Sequence, residues 1–168
     1  MIRLLHQTIA QAAEAAPDAQ AFVCGPRAIG YGDLEDASNR LANLLLQQGV
    51  SIGDRVGVFM PRCVETAIAV YGILKAGAVF VPIDPHLPVG GVAQLANDCE
   101  LSVILTQPSK RKSLVGIDKM VPTLTCVIGA ASLDGVSDDL NCLEWSSIED
   151  ASEQVELSRP LNSEEYIM

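Results

Sequence analysis

ILKAGAVFVPIDP, residues 73–85, combines signals for a helix end, a turn and a buried strand. Lys75 suits the last turn of a helix, where backbone carbonyls lack partners and the dipole is negative. Gly77 can adopt the left-handed conformation that ends a helix without a Cβ clash. The apolar run that follows is typical of a parallel strand covered on both faces, and Pro82 and Pro85 end it because proline donates no backbone hydrogen bond. A loop at the carboxyl end of such a strand is where open α/β sheets bind ligands.

Upstream of this stretch, apolar periodicity predicts two longer helices with a strand between them. Residues 33–48 place their leucines on one face, with Asp33 as the expected N-cap and Gly49 closing the helix. Residues 56–59 are predicted to be a buried strand. The run 63–75 is apolar nearly all round, so it is predicted to be a buried helix.

Shorter elements are predicted on both sides of this core. An amphipathic helix is expected near the N-terminus, and a hairpin around Gly25 between residues 21 and 29. Downstream, a helix is expected over 92–99, delayed in its start by Gly90-Gly91, with strands at 102–106 and 124–128. This alternation predicts an α/β fold: a doubly wound, mainly parallel sheet with flanking helices.

The formal net charge of −10 argues against nucleic acid or an anionic membrane as a partner. Residues 132–168 hold ten of the 21 acidic residues and one of the 11 basic ones, so the acidity is concentrated there. We therefore expect residues 1–131 to form the α/β core and residues 132–168 to form an acidic, loosely ordered tail.

Five cysteines are present without a C-x-x-C pair, which favours neither a disulfide framework nor a zinc site. Cys99 and Cys126 are expected in the core, and His6 and His86 at the surface. The basic run at 110–112 is expected in a solvated loop. The sequence shows no signal peptide and no membrane span, so the reducing cytoplasm is the expected location.

Residues 74–85 resemble the leucine-lysine-alanine-glycine to proline-x-aspartate-proline signature of the adenylate-forming superfamily. This superfamily includes acyl-CoA ligases, the adenylation domains of nonribosomal peptide synthetases, and luciferases. Residues 31–34 are similar to its tyrosine-x-glutamate/aspartate-leucine element, and residues 53–56 to its glycine-aspartate-arginine-valine turn. Residues 39–42 also fit, whereas Gly30 stands where a serine or threonine is usual. The signature residues, all expected to belong to the scaffold, are Tyr31, Asp33, Leu34, Gly53, Asp54, Arg55, Lys75, Ala76, Gly77, Pro82, Asp84 and Pro85.

The resemblance implies that this chain is the N-terminal fragment of an AMP-forming ligase. The intact enzyme would activate a carboxylate with ATP and Mg²⁺ and transfer the acyl group to a thiol, CoA among the candidates. Residues 164–168 resemble the start of the strand that precedes the family's phosphate loop, so that loop and the catalytic lysine would follow Met168. No catalytic, cofactor-binding or metal-binding residue is therefore assigned, and the chain alone is expected to bind no cofactor and to be inactive.

Several functions remain open at this point. An acyl-CoA ligase is the leading parent, and a peptide-synthetase adenylation domain is close behind. A stand-alone, non-catalytic interaction module is the main alternative. A small dinucleotide-binding domain, suggested by Gly30-x-Gly32-x-x-Glu35, is disfavoured because Glu35 would repel a pyrophosphate. The expected partners are the remainder of the enzyme and, through apolar surface left open, a second copy of the chain.

Overall fold

Residues 4–155 are described by a computed structural model of the protein, and their contacts divide them into two units. The first unit contains Arg62–Val79 and the described parts of Met1–Gly53 and Ile148–Met168. The second unit consists of Asp54–Pro61 and Phe80–Ser147. Among the described residues, every helix is too short or too polar to cross a bilayer.

The first unit is mainly helical and carries one hairpin. Its elements are α1 (His6–Ala15), β1 (Gln20–Cys24), β2 (Arg27–Gly30), α2 (Tyr31–Gln47) and α3 (Val64–Lys75). The antiparallel pair β1–β2 turns at Gly25, whose φ of 58° is in the left-handed region. The predicted hairpin is therefore confirmed.

Helix α2 begins earlier than predicted, and Asp33 does not cap it. Gly30 is the N-cap residue, and no side chain caps the helix. Instead, the N–H of Tyr31 donates to Ala19 O and the N–H of Gly32 to Pro17 O, both at 3.0 Å. These carbonyls satisfy two of the free N–H groups of the first turn, so a side-chain cap is not needed there. Asp33 lies exposed in that first turn, where its negative charge interacts favourably with the positive end of the helix dipole.

Helices α2 and α3 pack closely against each other. Leu34 from α2 and Ala67 from α3 join Ile9 of α1 in one buried cluster. A Cβ on Gly72 would lie 2.7 to 2.9 Å from three side-chain atoms of Leu41, which is fully buried. The absence of a side chain at Gly72 is therefore what allows this close helix approach.

The second unit is built around a five-stranded sheet in the order β4-β3-β5-β6-β7. Its strands are β3 (Arg55–Phe59), β4 (Val79–Pro82), β5 (Val103–Thr106), β6 (Cys126–Ile128) and β7 (Asn141–Leu143). The pairs β3–β5, β5–β6 and β6–β7 are all parallel. Helix α4 (Val89–Asp98) connects β4 to β5, and 3-10 helices cover Pro108–Leu114, Ile117–Lys119 and Trp145–Ile148.

The strand order confirms the predicted fold class. From β3 the chain moves to β4 on one side, then crosses back through α4 to β5 on the other side. This reversal of direction is the mark of a doubly wound α/β sheet, and it places a topological switch point between β3 and β5.

Three local expectations differ from the structure. Strand β4 is half-buried, since it is the edge strand, whereas coverage on both faces was expected. Helix α4 begins at Val89 and includes Gly90-Gly91, because Pro88 O accepts the N–H groups of Gly91 and Val92 and so closes its first turn. Strand β7 lies in the acidic segment, where no strand was predicted.

Gly72→Ala should lower the free energy of unfolding by about 1–2 kcal/mol, because overpacking against Leu41 outweighs the higher helix propensity of alanine. Gly90→Ala is the matched control. Its Cβ would meet no atom within 4 Å, so it should raise stability by up to about 1 kcal/mol. Urea denaturation followed by circular dichroism measures both changes. Equal stabilisation by the two substitutions would contradict the close helix approach.

Candidate functional site

The carboxyl ends of β5, β6 and β7 border an open cleft with a volume of about 770 Å³. Because these strands are parallel, the segments that follow them meet at one edge of the sheet. The 3-10 helix after β5 supplies Ser109, Arg111 and Lys112 to the lining. Residues 129–131 after β6 and 144–146 after β7 complete it.

Hydrogen bonds hold Trp145, which lines the cleft, against the end of β5. The Trp145 indole N–H donates to Thr106 O at 2.9 Å, and the Thr106 hydroxyl donates to Phe59 O at 2.8 Å. Thr106 is fully buried, so its hydroxyl would be costly to leave unpaired. These two bonds join the ends of β3 and β5 to the segment after β7.

Gly129 makes this arrangement possible. Its φ is 110°, and a Cβ there would lie 2.0 Å from Thr106 O and 2.7 Å from Trp145 Nε1. Its own N–H donates to Leu143 O at 2.7 Å. Only glycine fits a backbone that approaches both groups in this conformation.

The lining offers charge and hydroxyl groups but no nucleophile paired with a histidine. Arg111 and Lys112 are exposed, and Arg111 lies 3.8 Å from Asp134, a loose ion pair. The Ser146 hydroxyl donates to the Glu144 carboxylate at 3.3 Å. The cleft can therefore hold a polar or anionic group, but its residues do not form a Ser-His or Cys-His pair for covalent catalysis.

The end of the signature stretch forms a hydrogen-bonded turn in the second unit. Asp84 Oδ1 accepts hydrogen bonds from the backbone N–H and the ring Nδ1 of His86, each at 2.9 Å. The backbone N–H, then the ring, lower the pKa of the exposed Asp84 carboxyl. The Lys110 ammonium donates to Pro85 O at 2.6 Å, so this turn is tied to the 3-10 helix that follows β5.

Lys75 is buried and joins α3 to α2. Its ammonium lies 2.7 Å from the Glu35 carboxylate, 2.8 Å from Asn39 Oδ1 and 3.1 Å from Glu35 O. Burial lowers the pKa of Lys75, and the Glu35 carboxylate opposes that shift. The expected dipole interaction at the helix end is thus accompanied by a specific buried ion pair.

The other signature residues divide between turns and core. Gly53 donates its N–H to Gly77 O at 2.9 Å, so two signature turns that are distant in sequence are bonded directly. Gly77 has a φ of 79°, which confirms the predicted left-handed helix end. Leu34 and Ala76 are buried, and Tyr31 packs against the cluster containing Leu34. Pro82 ends β4, as predicted, Asp54 directly precedes β3, and Arg55 is its first residue.

The residues that fix the cleft were not predicted from the sequence. Thr106 has the pattern of an ordinary strand residue, and Gly129 and Trp145 belong to no motif. One signal was present: a glycine directly after an apolar strand, followed downstream by the single tryptophan of the chain. Of the described cysteines, Cys126 is buried, and burial raises its pKa to about 12, whereas Cys99 is only half-buried.

No group of three or more His, Cys, Asp and Glu side chains within residues 4–155 is arranged to hold a metal ion. The two histidines belong to different units: His86 pairs with Asp84, and His6 is half-buried in α1, where burial and then Lys75 lower its pKa. The described part of the chain therefore carries a polar cleft whose lining includes two exposed basic side chains, Arg111 and Lys112.

The family model for the AMP-binding enzyme family matches residues 9–165. Because the match extends over most of the sequence, the chain belongs to the AMP-binding enzyme family. The resemblance shown by residues 31–34, 53–56 and 74–85 is thereby confirmed.

Curated relatives of the chain are far larger proteins. Tyrocidine synthase 2 of Brevibacillus parabrevis is 31% identical over 128 residues, which are 76% of this chain and 4% of that protein. Tyrocidine synthase 1 of the same organism is 38% identical over 105 residues, 62% of this chain and 10% of that protein. The chain thus spans only a small fraction of the relatives it matches.

Solved structures support the same fold. The anthranilate CoA ligase AuaEII, in complex with anthranoyl-AMP, has a TM-score of 0.78 at 19% identity, covering 91% of this chain and 28% of that one. At that identity the likeness shows the fold alone. The nonribosomal peptide synthetase FmoA3 has a TM-score of 0.70 at 32% identity, covering 89% of this chain and 14% of that one.

Lys75→Met should lower the free energy of unfolding by about 2–4 kcal/mol, because it leaves the half-buried Glu35 carboxylate without its countercharge and removes the ammonium donor to Asn39 Oδ1. Arg27→Met is the matched control. Arg27 pairs with Glu65 at the same 2.7 Å, but its side chain is 60% exposed against 6% for Lys75, so the loss should be at most about 1 kcal/mol. Urea denaturation compares them. Equal losses would show that burial does not decide the strength of the Lys75 pair.

Gly129→Ala should break the Trp145–Thr106 bond and cost about 3 kcal/mol, because the new Cβ overlaps a backbone oxygen. Gly135→Ala is the control: its φ of 72° is also positive, but its nearest contact would be 3.4 Å, so the cost should be about 1 kcal/mol. Trp145 is the only tryptophan, so its fluorescence reports on the cleft. A red shift and faster acrylamide quenching are expected for Gly129→Ala alone. An unchanged spectrum for Gly129→Ala would refute this role.

Proposed function

We propose that this chain is the N-terminal part of an adenylation enzyme that activates a carboxylate with ATP and passes the acyl group to a thiol. In the first step, a carboxylate oxygen bonds to the α-phosphorus of ATP and pyrophosphate leaves. In the second step, the thiol sulfur attacks the acyl carbon, gives up its proton and displaces AMP. Membership of the AMP-binding enzyme family is the observation that carries this proposal.

The parent we favour is a peptide-synthetase adenylation domain, with an acyl-CoA ligase second. This order reverses the one that the sequence motifs alone suggested. The support comes from relatives: the two synthases named for tyrocidine are 31% and 38% identical to the chain, whereas the CoA ligase structure is 19% identical. A carrier-bound thiol is then the acceptor, and the rest of the synthetase is the main partner. The parent would act in the cytoplasm.

Within that enzyme, we propose that residues 4–155 supply the scaffold and not the reacting groups. The phosphates of ATP need hydrogen-bond donors, and Mg²⁺ needs a cluster of oxygen ligands. The described residues hold no cluster of side chains that could bind a metal ion. The phosphate loop, the metal ligands and the catalytic lysine would come from the rest of the parent. The twelve signature residues would form turns and helix contacts that support the part of the parent carrying the phosphate loop and the catalytic lysine.

The proposed division of the chain follows the same logic. Residues 1–131 form the α/β core, and residues 132–168 form the acidic segment that leads toward the phosphate loop. Strand β7 and the 3-10 helix Trp145–Ile148 give the start of that segment regular structure. The predicted strand start at 164–168 lies outside the described residues. Surface that the parent covers would be open in the isolated chain, which favours self-association.

The isolated chain should show no ATP–pyrophosphate exchange with any carboxylate, because in the proposed assignment the groups that bind the phosphates lie in the rest of the parent. Radiolabel transferred from pyrophosphate to ATP measures the reaction, with a protein-free blank as background. The intact parent, assayed beside it, should show exchange with its own acid. Activity of the isolated chain that survives repurification would overturn the scaffold assignment.

Reading the coding sequence beyond Met168 separates this proposal from the stand-alone interaction module. A glycine- and serine-rich phosphate loop there is expected. A stop codon directly after Met168 would favour the module instead. With the parent in hand, thioester formation on a carrier domain, and not on free CoA, would distinguish the two kinds of ligase.

A further inference from the structure

Two side chains of α2, Arg40 and Asn43, bind a segment more than a hundred residues away in sequence, residues 149–154. Arg40 donates through Nη1 to the backbone carbonyls of Glu149, at 2.5 Å, and Ala151, at 3.3 Å. Its Nη2 forms an ion pair with the Glu153 carboxylate. One turn further along, Asn43 Nδ2 donates to Ser152 O at 2.5 Å and to Gln154 O at 2.8 Å.

Most of these contacts recognise the course of the backbone. Four of the five acceptors are carbonyl oxygens at 149, 151, 152 and 154, and only one is a side chain. Two donor side chains therefore fix four of the six backbone carbonyls from 149 to 154, whatever side chains this stretch carries. Asn43 is 8% exposed, so its amide is committed to these bonds and is not a solvated surface group.

Two apolar side chains in or beside this segment are also buried. Ile148 and Ala151 are buried, at 6% and 7% exposure, although the surrounding stretch is acidic and was expected to be loosely ordered. The carboxylate of Glu153 is 52% exposed, so its ion pair with Arg40 is worth little beside the carbonyl bonds.

Helix α2 is itself held firmly. The Lys75 ammonium of α3 binds Glu35 and Asn39 on α2, within about two turns before Arg40 and Asn43. Gly72 of α3 meets Leu41 between them. A segment fastened to this part of α2 is therefore fastened to a helix whose own position is fixed by α3.

We infer that Arg40 and Asn43 are positioning residues: they form a clasp that sets the path of the backbone over 149–155, and so the place from which the following residues start. This inference rests on the proposed function, in which those following residues lead to the phosphate-binding loop. Loss of the clasp would leave the nucleotide site intact in sequence but less well placed. The cost would then fall on the binding of ATP more than on the chemical step.

Hydrogen exchange of the 168-residue chain tests the clasp itself. In Arg40→Met with Asn43→Leu, amides in peptides covering 149–155 should exchange about tenfold faster or more, while peptides from α1 keep their protection. Glu153→Gln is the matched control, because it removes the ion pair and leaves the carbonyl bonds, so its exchange should match wild type. Unchanged exchange in the double variant would overturn the clasp. Loss of protection in Glu153→Gln equal to that in the double variant would overturn the claim that carbonyl bonds carry it.

The same substitutions in the intact parent test the effect on the nucleotide. The double variant should raise KM for ATP on the order of tenfold in pyrophosphate exchange, with kcat changed less than about threefold. Arg40→Lys, which keeps the charge but not the planar fork, should give an intermediate KM, and it serves where the double variant does not fold. A roughly tenfold fall of kcat with the KM for ATP unchanged would overturn the positioning role.

Failure of the inference and failure of the proposed function are distinguishable. A wild-type parent without exchange activity would overturn the proposed function and with it the link to the nucleotide, while hydrogen exchange would still show whether the clasp exists. A wild-type parent with normal exchange, and a double variant with faster hydrogen exchange but normal KM for ATP, would overturn the positioning inference alone.

Discussion

The ammonium group of Lys75 is the contact on which the arrangement of α2 and α3 depends. An ammonium taken out of water needs polar partners, and this one has an ion pair with the Glu35 carboxylate and two hydrogen-bond acceptors, Glu35 O and Asn39 Oδ1. All three come from α2, so the charge can be buried only when α2 occupies this position. Gly72 adds the steric counterpart, because the helices approach at a point where a Cβ would overlap Leu41.

At the carboxyl edge of the sheet, buried neutral groups likewise need hydrogen-bond partners. Thr106 is buried, and its hydroxyl and carbonyl each have one partner, Phe59 O and the Trp145 indole. Because a buried polar group is costly when unpaired, these bonds fix where the segment after β7 crosses the end of β5. Gly129 permits that crossing, and the cleft is the space left beside it.

These contacts are consistent with the proposed scaffold role of residues 4–155 in an enzyme of the AMP-binding family. In the proposed assignment, the reacting groups lie elsewhere in the parent, and residues 4–155 supply the scaffold that supports them. The side chains of Arg40 and Asn43 hold the backbone of residues 149–154, which lie inside the acidic segment, against α2. The fraction of the relatives that the chain spans agrees with such a partial role.

Local sequence determined the parts of this structure that depend on neighbours in the chain. The left-handed turn at Gly77, the hairpin at Gly25 and the order of α-helices and strands from α1 to β6 follow from conformational preference and apolar periodicity, which act over a few residues. The family resemblance was likewise readable, because its motifs are contiguous. The expected cap at Asp33 was wrong for the complementary reason: distant carbonyls at 17 and 19 already satisfied the first turn of α2.

Only the tertiary structure decided which polar groups meet. The partners of Lys75 are 36 and 40 residues away, Trp145 bonds to a carbonyl 39 residues away, and Arg40 and Asn43 bind carbonyls at separations of 109 to 111 residues. Several of these acceptors are backbone oxygens, which every residue possesses, so no pattern of side chains marks them. Strand β7 escaped prediction for the same reason: its three residues carry little apolar periodicity, and pairing with β6 is what makes them a strand.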